Sequence, residues 1–256
     1  MKILSWNVNG LPARINAVNR LVKELKPDVI CLQKVRSKGA SPFMKPDGYF
    51  GWMGSMEPGL FGGVSTFINP DVEFDLEAQN YEVPNRLADT GCLNVLNFDR
   101  FLLINAYFPY ANAADEEYIK IRQRWDYEIH EFLECLARRK PLVICGDLNI
   151  VATENDAWDG VAVKDAGCFF DWEHRNFDSL CESVGIVDTY RHLHPDGSDY
   201  SYFFQNKPEY RLLNQGFRID YCLVSEELLP YLTKSEILTD VTDTTNNPIL
   251  IEINIL

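Results

Sequence analysis

Polar side chains follow apolar, strand-like runs at five places in the chain. A strand that ends on a carboxylate commonly presents it to a metal ion, and functional groups concentrate at strand ends and in loops. Convergence on one pocket is therefore one interpretation, and solvated turns are the alternative, because Asp and Asn also hydrogen-bond their own backbone. The five places are Asn7 in SWNVNG, Lys34 in CLQK, Tyr107 in NAYFPY, Asp147 and Asn149 in CGDLN, and Asp220 in FRIDY.

Compact apolar runs predict the strands that position these side chains. Several runs are apolar on both faces, which indicates sheets covered on both sides. Helical periodicity predicts helices over Ile15–Leu25, Asp115–Ala137 and Trp172–Val184, and Ser225 before two glutamates predicts the cap of a fourth. No linker divides the chain, so we predict one α/β domain over residues 1–256. The predicted strands are KILSWNV, DVICLQ, GGVSTFI, LNVLNF, FLLINAYF, LVICGDLNI, RIDYCLVS and ILIEINI.

The composition is ordinary for a globular protein, with 46% apolar and 24% charged residues among 256. No apolar run is long enough to cross a membrane, and MKILSWNVNG reads as a first strand and not as a signal peptide. We therefore expect a cytoplasmic protein with no membrane partner. Its seven cysteines form no CxxC pair, which predicts reduced, buried thiols and no zinc site.

The formal net charge is −14. Such a charge repels polyanions at long range unless local patches override it, so it disfavours strong binding of nucleic acid. It does not exclude an enzyme with an acidic pocket built for a metal ion.

Six stretches, in order along the chain, resemble the exonuclease III and AP endonuclease branch of the endonuclease/exonuclease/phosphatase superfamily. The similarity covers essentially the whole length. The stretches are SWNVNGLPA, DVICLQ, NAYFPY, CGDLNI, VDTYRHLHP and NQGFRIDYCLVS, of which CGDLNI resembles the central Gly-Asp-x-Asn signature.

This resemblance implies a four-layered α/β sandwich, in which two packed mixed β-sheets are flanked by helices as in deoxyribonuclease I. It also implies that a divalent metal ion, Mg²⁺ or Mn²⁺, assists hydrolysis of a DNA phosphodiester. Asn7 and Asp220 are the remaining candidates for contact with such an ion.

The resemblance also implies roles for the matching side chains. Tyr107 would support the phosphate, and Asp147 would position or activate the attacking water. Asn149 would hold a phosphate oxygen or the charged transition state. Asn214 and Asp220 would line the pocket, with Asp220 orienting a histidine.

Two motifs depart from the family pattern. The second family motif ends Leu-Gln-Glu with a metal-binding glutamate, and this chain has Lys34 there. The last family motif is Ser-Asp-His-x-Pro. Aligning Pro248 with its proline places Thr244, Thr245 and Asn246 on Ser, Asp and His. His130, His174, His192 and His194 belong to other stretches, so none of them easily replaces the missing imidazole.

These substitutions make the pocket more positive and remove oxygen ligands. Mg²⁺ prefers carboxylate and water oxygens, and lysine supplies none. Two unit charges ~4 Å apart repel by about 4 kcal/mol at an effective dielectric near 20, and a dication feels about twice that. A missing acid–base group costs a further 10²–10⁴-fold in rate, roughly.

Three functions remain open from the sequence. The first is a family member with lost or impaired nuclease activity that binds nucleic acid or a partner, with Lys34 as a fixed positive charge for a phosphate. The second is an active metal-dependent DNA hydrolase with a rearranged site on Asp147, Asp220 and Asp243. The third is a regulatory protein that acts only through interaction. The expected partners are DNA or RNA, bound weakly, or a protein.

Overall fold

The computed structural model describes residues 1–36, 45–53, 62–73, 83–158 and 166–255. Within these residues the strands form two mixed sheets. The strands are β1 (Lys2–Asn7), β2 (Val29–Gln33), β3 (Phe50–Met53), β4 (Val64–Ile68), β5 (Leu93–Asn97), β6 (Leu102–Tyr107), β7 (Leu142–Asp147), β8 (Ile186–Asp188), β9 (Asp220–Ser225), β10 (Leu232–Ile237) and β11 (Ile249–Ile253).

The helices connect the strands and cover both sheets. Asp115 caps the longest helix by accepting a hydrogen bond from the Glu117 amide at 3.0 Å, and Glu116 and Glu117 add negative charge to the first turn. Short 3₁₀ helices lie at Glu154–Asp156 and at Glu226–Tyr231. The helices are α1 (Leu11–Leu25), α2 (Asn85–Ala88), α3 (Glu116–Ala137), α4 (Asp171–Val184), α5 (Thr189–Leu193) and α6 (Pro208–Leu212).

The two sheets pack face to face, and helices lie on their outer faces. One sheet has the order β10-β11-β1-β2-β4-β3 and the other β5-β6-β7-β9-β8. Pairing is parallel in β1–β2 and β6–β7 and antiparallel elsewhere. Helix α1 packs on the first sheet, and α3 and α4 pack on the second. The predicted four-layered, deoxyribonuclease I-like α/β sandwich is thus confirmed.

Strand alternation decides which side chains face the other sheet. In β1, Leu4 and Trp6 pack towards α1, whereas Ile3 packs between the sheets. In β7, Val143 and Cys145 pack between the sheets, with the next inward position at the strand end. The inward positions at these ends are Asn7 and Asp147, which are the polar side chains of the sequence motifs.

A buried polar layer joins the sheets just below these strand ends. Gln33 Nε2 donates to Asn105 Oδ1 at 2.8 Å and to Ser5 Oγ at 3.1 Å. Asn105 Nδ2 donates to the Ser65 carbonyl at 3.0 Å and to Thr66 Oγ1 at 3.1 Å. Buried polar groups are costly unless paired, so this layer fixes how the two sheets align.

Gly146 precedes Asp147 where β6 and β7 approach closely. A Cβ atom at this position would lie 1.8 Å from the Ala106 carbonyl oxygen. The glycine of CGDLNI is therefore required by sterics, because no side chain fits between the two strands.

All eight predicted strands and three predicted helices are present, with bounds that differ by a few residues. Strands β3, β8 and β10 were not predicted from the sequence. The fourth predicted helix is a 3₁₀ segment, and Ser225 does not cap it with its side chain. The Ser225 hydroxyl instead accepts a hydrogen bond from the Leu142 amide at 2.8 Å, which joins β7 and β9. None of the helices in the described ranges is long and apolar enough to cross a membrane.

Candidate active site

The two sheets are tied together at one edge by a side-chain hydrogen bond. Asn7 Nδ2 at the end of β1 donates to Asp147 Oδ2 at the end of β7, at 2.7 Å. Asp220 begins β9 directly opposite Asp147, as its antiparallel partner. Three of the sequence motifs therefore meet at this edge, which we call the strand-end rim and define by Asn7, Lys34, Tyr107, Asp147 and Asp220.

Asp147 and Asn149 form a turn and also face a cavity. The Asn149 amide donates to Asp147 Oδ1 at 3.1 Å, which is the local turn that the sequence offered as an alternative. Asn149 adopts a left-handed conformation with φ of 47°, and its Nδ2 donates to the Phe108 carbonyl at 2.7 Å. Both side chains line the same cavity, so the turn is what aims them into it.

The cavity at the rim has a volume of about 420 Å³, and we call it the rim cavity. Its lining combines polar groups, among them Lys34, with apolar and aromatic groups. Its polar lining includes Asn7, Asn9, Lys34, Asp147, Asn149, Thr245 and Asn246, and its apolar lining includes Cys168, Phe169, Tyr202, Phe204, Phe217 and Ile219.

Lys34 follows β2 and occupies the position at which the family resemblance implies a glutamate. It is half-buried and adopts a left-handed backbone with φ of 49°, and its carbonyl accepts from the Gly10 amide at 2.8 Å. Its Nζ lies 4.7 Å from the centroid of the Tyr107 ring, a cation–π contact. The contact with the Tyr107 ring thus holds the Lys34 ammonium at the cavity wall.

The two buried carboxyl groups of Asp147 and Asp220 share this charged environment. Burial raises the pKa of Asp147, while the Lys34 ammonium and the Asn7 amide lower it. Burial and the neighbouring Asp147 raise the pKa of Asp220 well above its usual range. Asp220 Oδ1 is buried and has no hydrogen-bond partner among the described residues. The pair therefore resists holding two negative charges at once.

Asn246 contacts the carboxylate that the resemblance assigned to orienting a histidine. Its Nδ2 donates to Asp220 Oδ2 at 2.9 Å. Its Oδ1 accepts a hydrogen bond from Thr245 Oγ1 at 3.0 Å. Asn246 is buried, and its amide fills the hydrogen-bonding position beside Asp220 with a group that does not ionise near neutral pH.

Tyr107 lies next to the same groups. It is buried, and burial together with Asp147 raises the pKa of its phenol well above its usual value. Tyr107 pairs with Asp147 across the parallel strands β6 and β7. Tyr107 is therefore a neutral side chain whose ring packs against the Lys34 ammonium.

Asn214 and Asp243, which the sequence analysis named as candidate site residues, lie apart from the strand-end rim. Asn214 is exposed at the end of α6, and its Nδ2 donates to the Ser198 carbonyl at 3.0 Å. Asn214 is not among the residues that line the rim cavity, so its proposed role in lining the pocket stays a prediction. Asp243 is paired with Arg20 at 2.6 Å and lines a different cavity, so it does not complete a rearranged site.

A buried charge network behind Asn149 was not predicted from the sequence. Arg122 Nη1 donates to the carbonyls of Pro109 at 2.9 Å and Asn149 at 3.2 Å. Its Nε donates to Asp126 at 2.7 Å, and Glu173 lies 3.7 Å from Nη1. The sequence feature that could have revealed this network is the oppositely charged pair Arg122 and Asp126, four residues apart within the apolar face of α3. Arg122 therefore positions the backbone of the rim turn.

Within the described ranges, no three His, Cys, Asp or Glu side chains come together as a metal-binding group. Among the described carboxylates, Asp147 lines the rim cavity, and Asp220 is its partner across β7 and β9. Both oxygens of Asp147 accept hydrogen bonds from the protein, at 2.7 Å and 3.1 Å.

Comparison with known proteins agrees with this geometry. The model of the Endonuclease/Exonuclease/phosphatase family matches residues 4–243. The chain is 29% identical over 261 residues to an exodeoxyribonuclease from Bacillus subtilis, with 100% of each chain covered. An AP endonuclease from Archaeoglobus fulgidus superposes with a TM-score of 0.83 at 21% identity, covering 100% of both chains. A Neisseria 3′ phosphatase bound to product DNA hairpin gives a TM-score of 0.84 at 24% identity over 99% of each chain.

The two-sheet sandwich and its polar strand-end rim define the deoxyribonuclease I-like class. This chain belongs to the Endonuclease/Exonuclease/phosphatase family, as the match over most of its length shows. The resemblance to the exonuclease III and AP endonuclease branch is confirmed by the exodeoxyribonuclease relative, and the structural neighbours confirm the fold.

The network behind Asn149 predicts a pH-dependent stability. Burial raises the pKa of Glu173 from 4.5 to about 7, partly offset by Arg122. The folded protein holds this proton more tightly than the unfolded chain, so stability should fall as the pH rises from about 4.5 through about 7, by up to about 3 kcal/mol. Glu173→Gln should remove most of that loss, because an amide does not titrate. The variant should still fold, since its amide oxygen can accept the hydrogen bond from the Phe170 amide.

The measurement is the free energy of urea unfolding between pH 4.5 and 8. Glu182→Gln, at an exposed position of the same helix, is the matched control and should follow wild type. If Glu173→Gln and wild type lose stability equally across this range, Glu173 is not the group that titrates.

Proposed function

We propose that this protein binds nucleic acid at the rim cavity with impaired metal-dependent hydrolysis. Lys34 carries the proposal, because it brings a positive charge to the cavity wall where the family resemblance implies a metal-binding glutamate. A lysine ammonium is a compact point charge that binds phosphate oxygens well. In this proposal Lys34 contacts the phosphate directly, in the place of a divalent cation.

The donor set is a poor fit for a tightly bound Mg²⁺. Such an ion prefers several carboxylate oxygens, whereas Asp147 is the one carboxylate in the described lining, and each of its oxygens already accepts a hydrogen bond, from Asn7 or from Asn149. One oxygen of Asp220 accepts from Asn246, and its raised pKa favours the neutral acid. The Lys34 ammonium adds repulsion towards any cation that enters.

The imidazole that the family resemblance implies for proton transfer is absent from the described lining of the rim cavity. Hydrolysis of a phosphodiester needs a group that activates water and one that protonates the leaving oxygen. Asn246 cannot do either, although it occupies the hydrogen-bonding position beside Asp220. Among the described histidines, His130 contacts Ser183 and His194 contacts the Ser235 carbonyl, both away from the rim cavity.

The relatives support DNA as the polymer to be tested first. The Bacillus subtilis relative is an exodeoxyribonuclease, and the Neisseria neighbour is bound to a DNA hairpin. The net charge of −14 limits how many phosphates this chain can contact. We therefore propose weak binding that depends on a few cations, with RNA as a comparison.

An active hydrolase is the second candidate, and one observation favours it. Asn7, Asp147 and Asn149 still form a connected hydrogen-bonded group that faces the cavity. Such a group could position a water molecule even without the substituted ligands. Cleavage by the wild-type protein would support this candidate over the first.

Lys34→Ala should weaken binding of a labelled DNA oligonucleotide with a terminal phosphate by roughly tenfold, measured by fluorescence anisotropy in EDTA. The reason is the loss of one charged hydrogen bond, worth about 1.5 kcal/mol. The salt dependence should be shallow and correspond to about two or three phosphate contacts. Lys120→Ala, an exposed lysine in an α3 surface pair, is the control for the change in net charge. Equal affinities for Lys34→Ala and wild type would count against the proposal.

Restoring the family ligands should partly restore cleavage. The triple change Lys34→Glu, Thr245→Asp, Asn246→His returns two carboxylates and an imidazole and removes the repelling ammonium. We expect Mg²⁺-dependent cleavage of an abasic-site duplex at least about 100-fold above wild type, and little effect from each single change because such groups act as a unit.

The control is Asp147→Asn in the triple background, which separates this activity from a contaminating nuclease. Wild type cleaving as fast as the triple variant would refute the impaired-site proposal. A folded but inactive triple variant would refute the claim that these three positions account for the loss.

A further inference from the structure

A second cavity adjoins the rim cavity and shares part of its lining. It has a volume of about 350 Å³, and we call it the flanking cavity. Asn9, Phe204, Gln205 and Thr245 line both cavities. A polymer that leaves the rim cavity past these residues would therefore enter the flanking cavity.

The flanking cavity carries positive charge. Arg14 and Lys207 line it, and no carboxylate of the described residues pairs with either of them. Arg14 Nε is buried there and has no hydrogen-bond partner within the described part of the chain. The carboxylate in this lining, Asp243, is already paired with Arg20 at 2.6 Å. The balance of charge available to a ligand is thus positive, in a chain that is acidic overall.

Arg211 builds the wall of this cavity. It bonds to the Asn247 side chain, and its Nη2 donates to the Thr244 carbonyl at 2.9 Å. Its guanidinium packs over the Phe203 ring at 4.6 Å. These contacts fix α6 against the segment that carries Thr245, which lines both cavities.

Aromatic rings form a row beside these cations. Phe204 and Trp158 are 37% and 39% exposed, and half-buried Tyr210 lies between them. The Tyr210 ring centroid is 6.2 Å from that of Phe204 and 6.0 Å from that of Trp158. Lys207 Nζ lies 5.9 Å from the Tyr210 centroid. Exposed rings interleaved with cations are the arrangement on which unpaired bases stack.

We propose that the flanking cavity binds the nucleotide next to the one in the rim cavity, as part of a single strand. Its base stacks on the Tyr210 ring, whose plane is tilted 76° from that of Phe204 and 58° from that of Trp158, and its phosphate is bound by Arg14 and Lys207. Bases inside a duplex are stacked on both faces and paired, so they present no free face to these rings. This inference rests on the proposed function of the rim cavity and specifies single-stranded nucleic acid as its ligand class.

The test is an anisotropy titration in EDTA with three labelled probes. They are a DNA octamer, the same octamer with abasic residues at its last three positions, and a blunt duplex of that sequence. Wild type should bind the octamer roughly fivefold to 100-fold more tightly than the abasic octamer, and more tightly than the duplex. Tyr210→Leu should abolish the preference for bases without changing the affinity for the abasic octamer.

Three controls separate the possible outcomes. Tyr210→Phe keeps the ring and should bind like wild type, which distinguishes stacking from folding. Tyr127→Leu replaces an exposed tyrosine of α3 and should change nothing. Lys34→Ala should weaken the octamer and the abasic octamer by the same factor, because it acts on the phosphate.

The inference is overturned if wild type binds both octamers equally, if it binds the duplex as tightly as the single strand, or if Tyr210→Leu keeps the preference for bases. If Lys34→Ala binds like wild type while Tyr210→Leu loses the preference, the proposed role of Lys34 fails and the stacking row stands.

Discussion

The hydrogen bond from Asn7 Nδ2 to Asp147 Oδ2 joins the two sheets at their functional edge, at 2.7 Å. It forms only if β1 and β7 end at the same height and both side chains point inward. The buried layer around Gln33 and Asn105 sets that height one step deeper in the sandwich. The same polar contacts therefore align the two sheets and place the side chains of the site.

Charge balance is the second property of the rim. Asp147 and Asp220 are buried as cross-strand partners, an arrangement that favours an added cation or a shared proton. Lys34 supplies a cationic side chain that belongs to the chain itself and packs against the Tyr107 ring. In the proposed function this charge is what attracts a phosphate, although the formal net charge of the chain is −14.

The fold and the rim were predictable because apolar runs mark buried strands and polar residues mark their ends. Strands β3, β8 and β10 escaped prediction because they are short or polar, and pairing with a neighbour decides their conformation. The Arg122–Glu173 contact joins two helices far apart in sequence, and the exposed position of Asn214 depends on a loop hydrogen bond. Contacts of that kind are fixed by tertiary packing and leave no local pattern.

The claim that Lys34 stands in place of a divalent cation is tested most directly by calorimetric titration of the purified protein with Mg²⁺. With Lys34 at the cavity wall and Asp147 already engaged, we expect no stoichiometric uptake in the micromolar range. A stoichiometric site of micromolar affinity that Asp220→Ala abolishes would contradict the claim, because it would show that the rim still holds the ion.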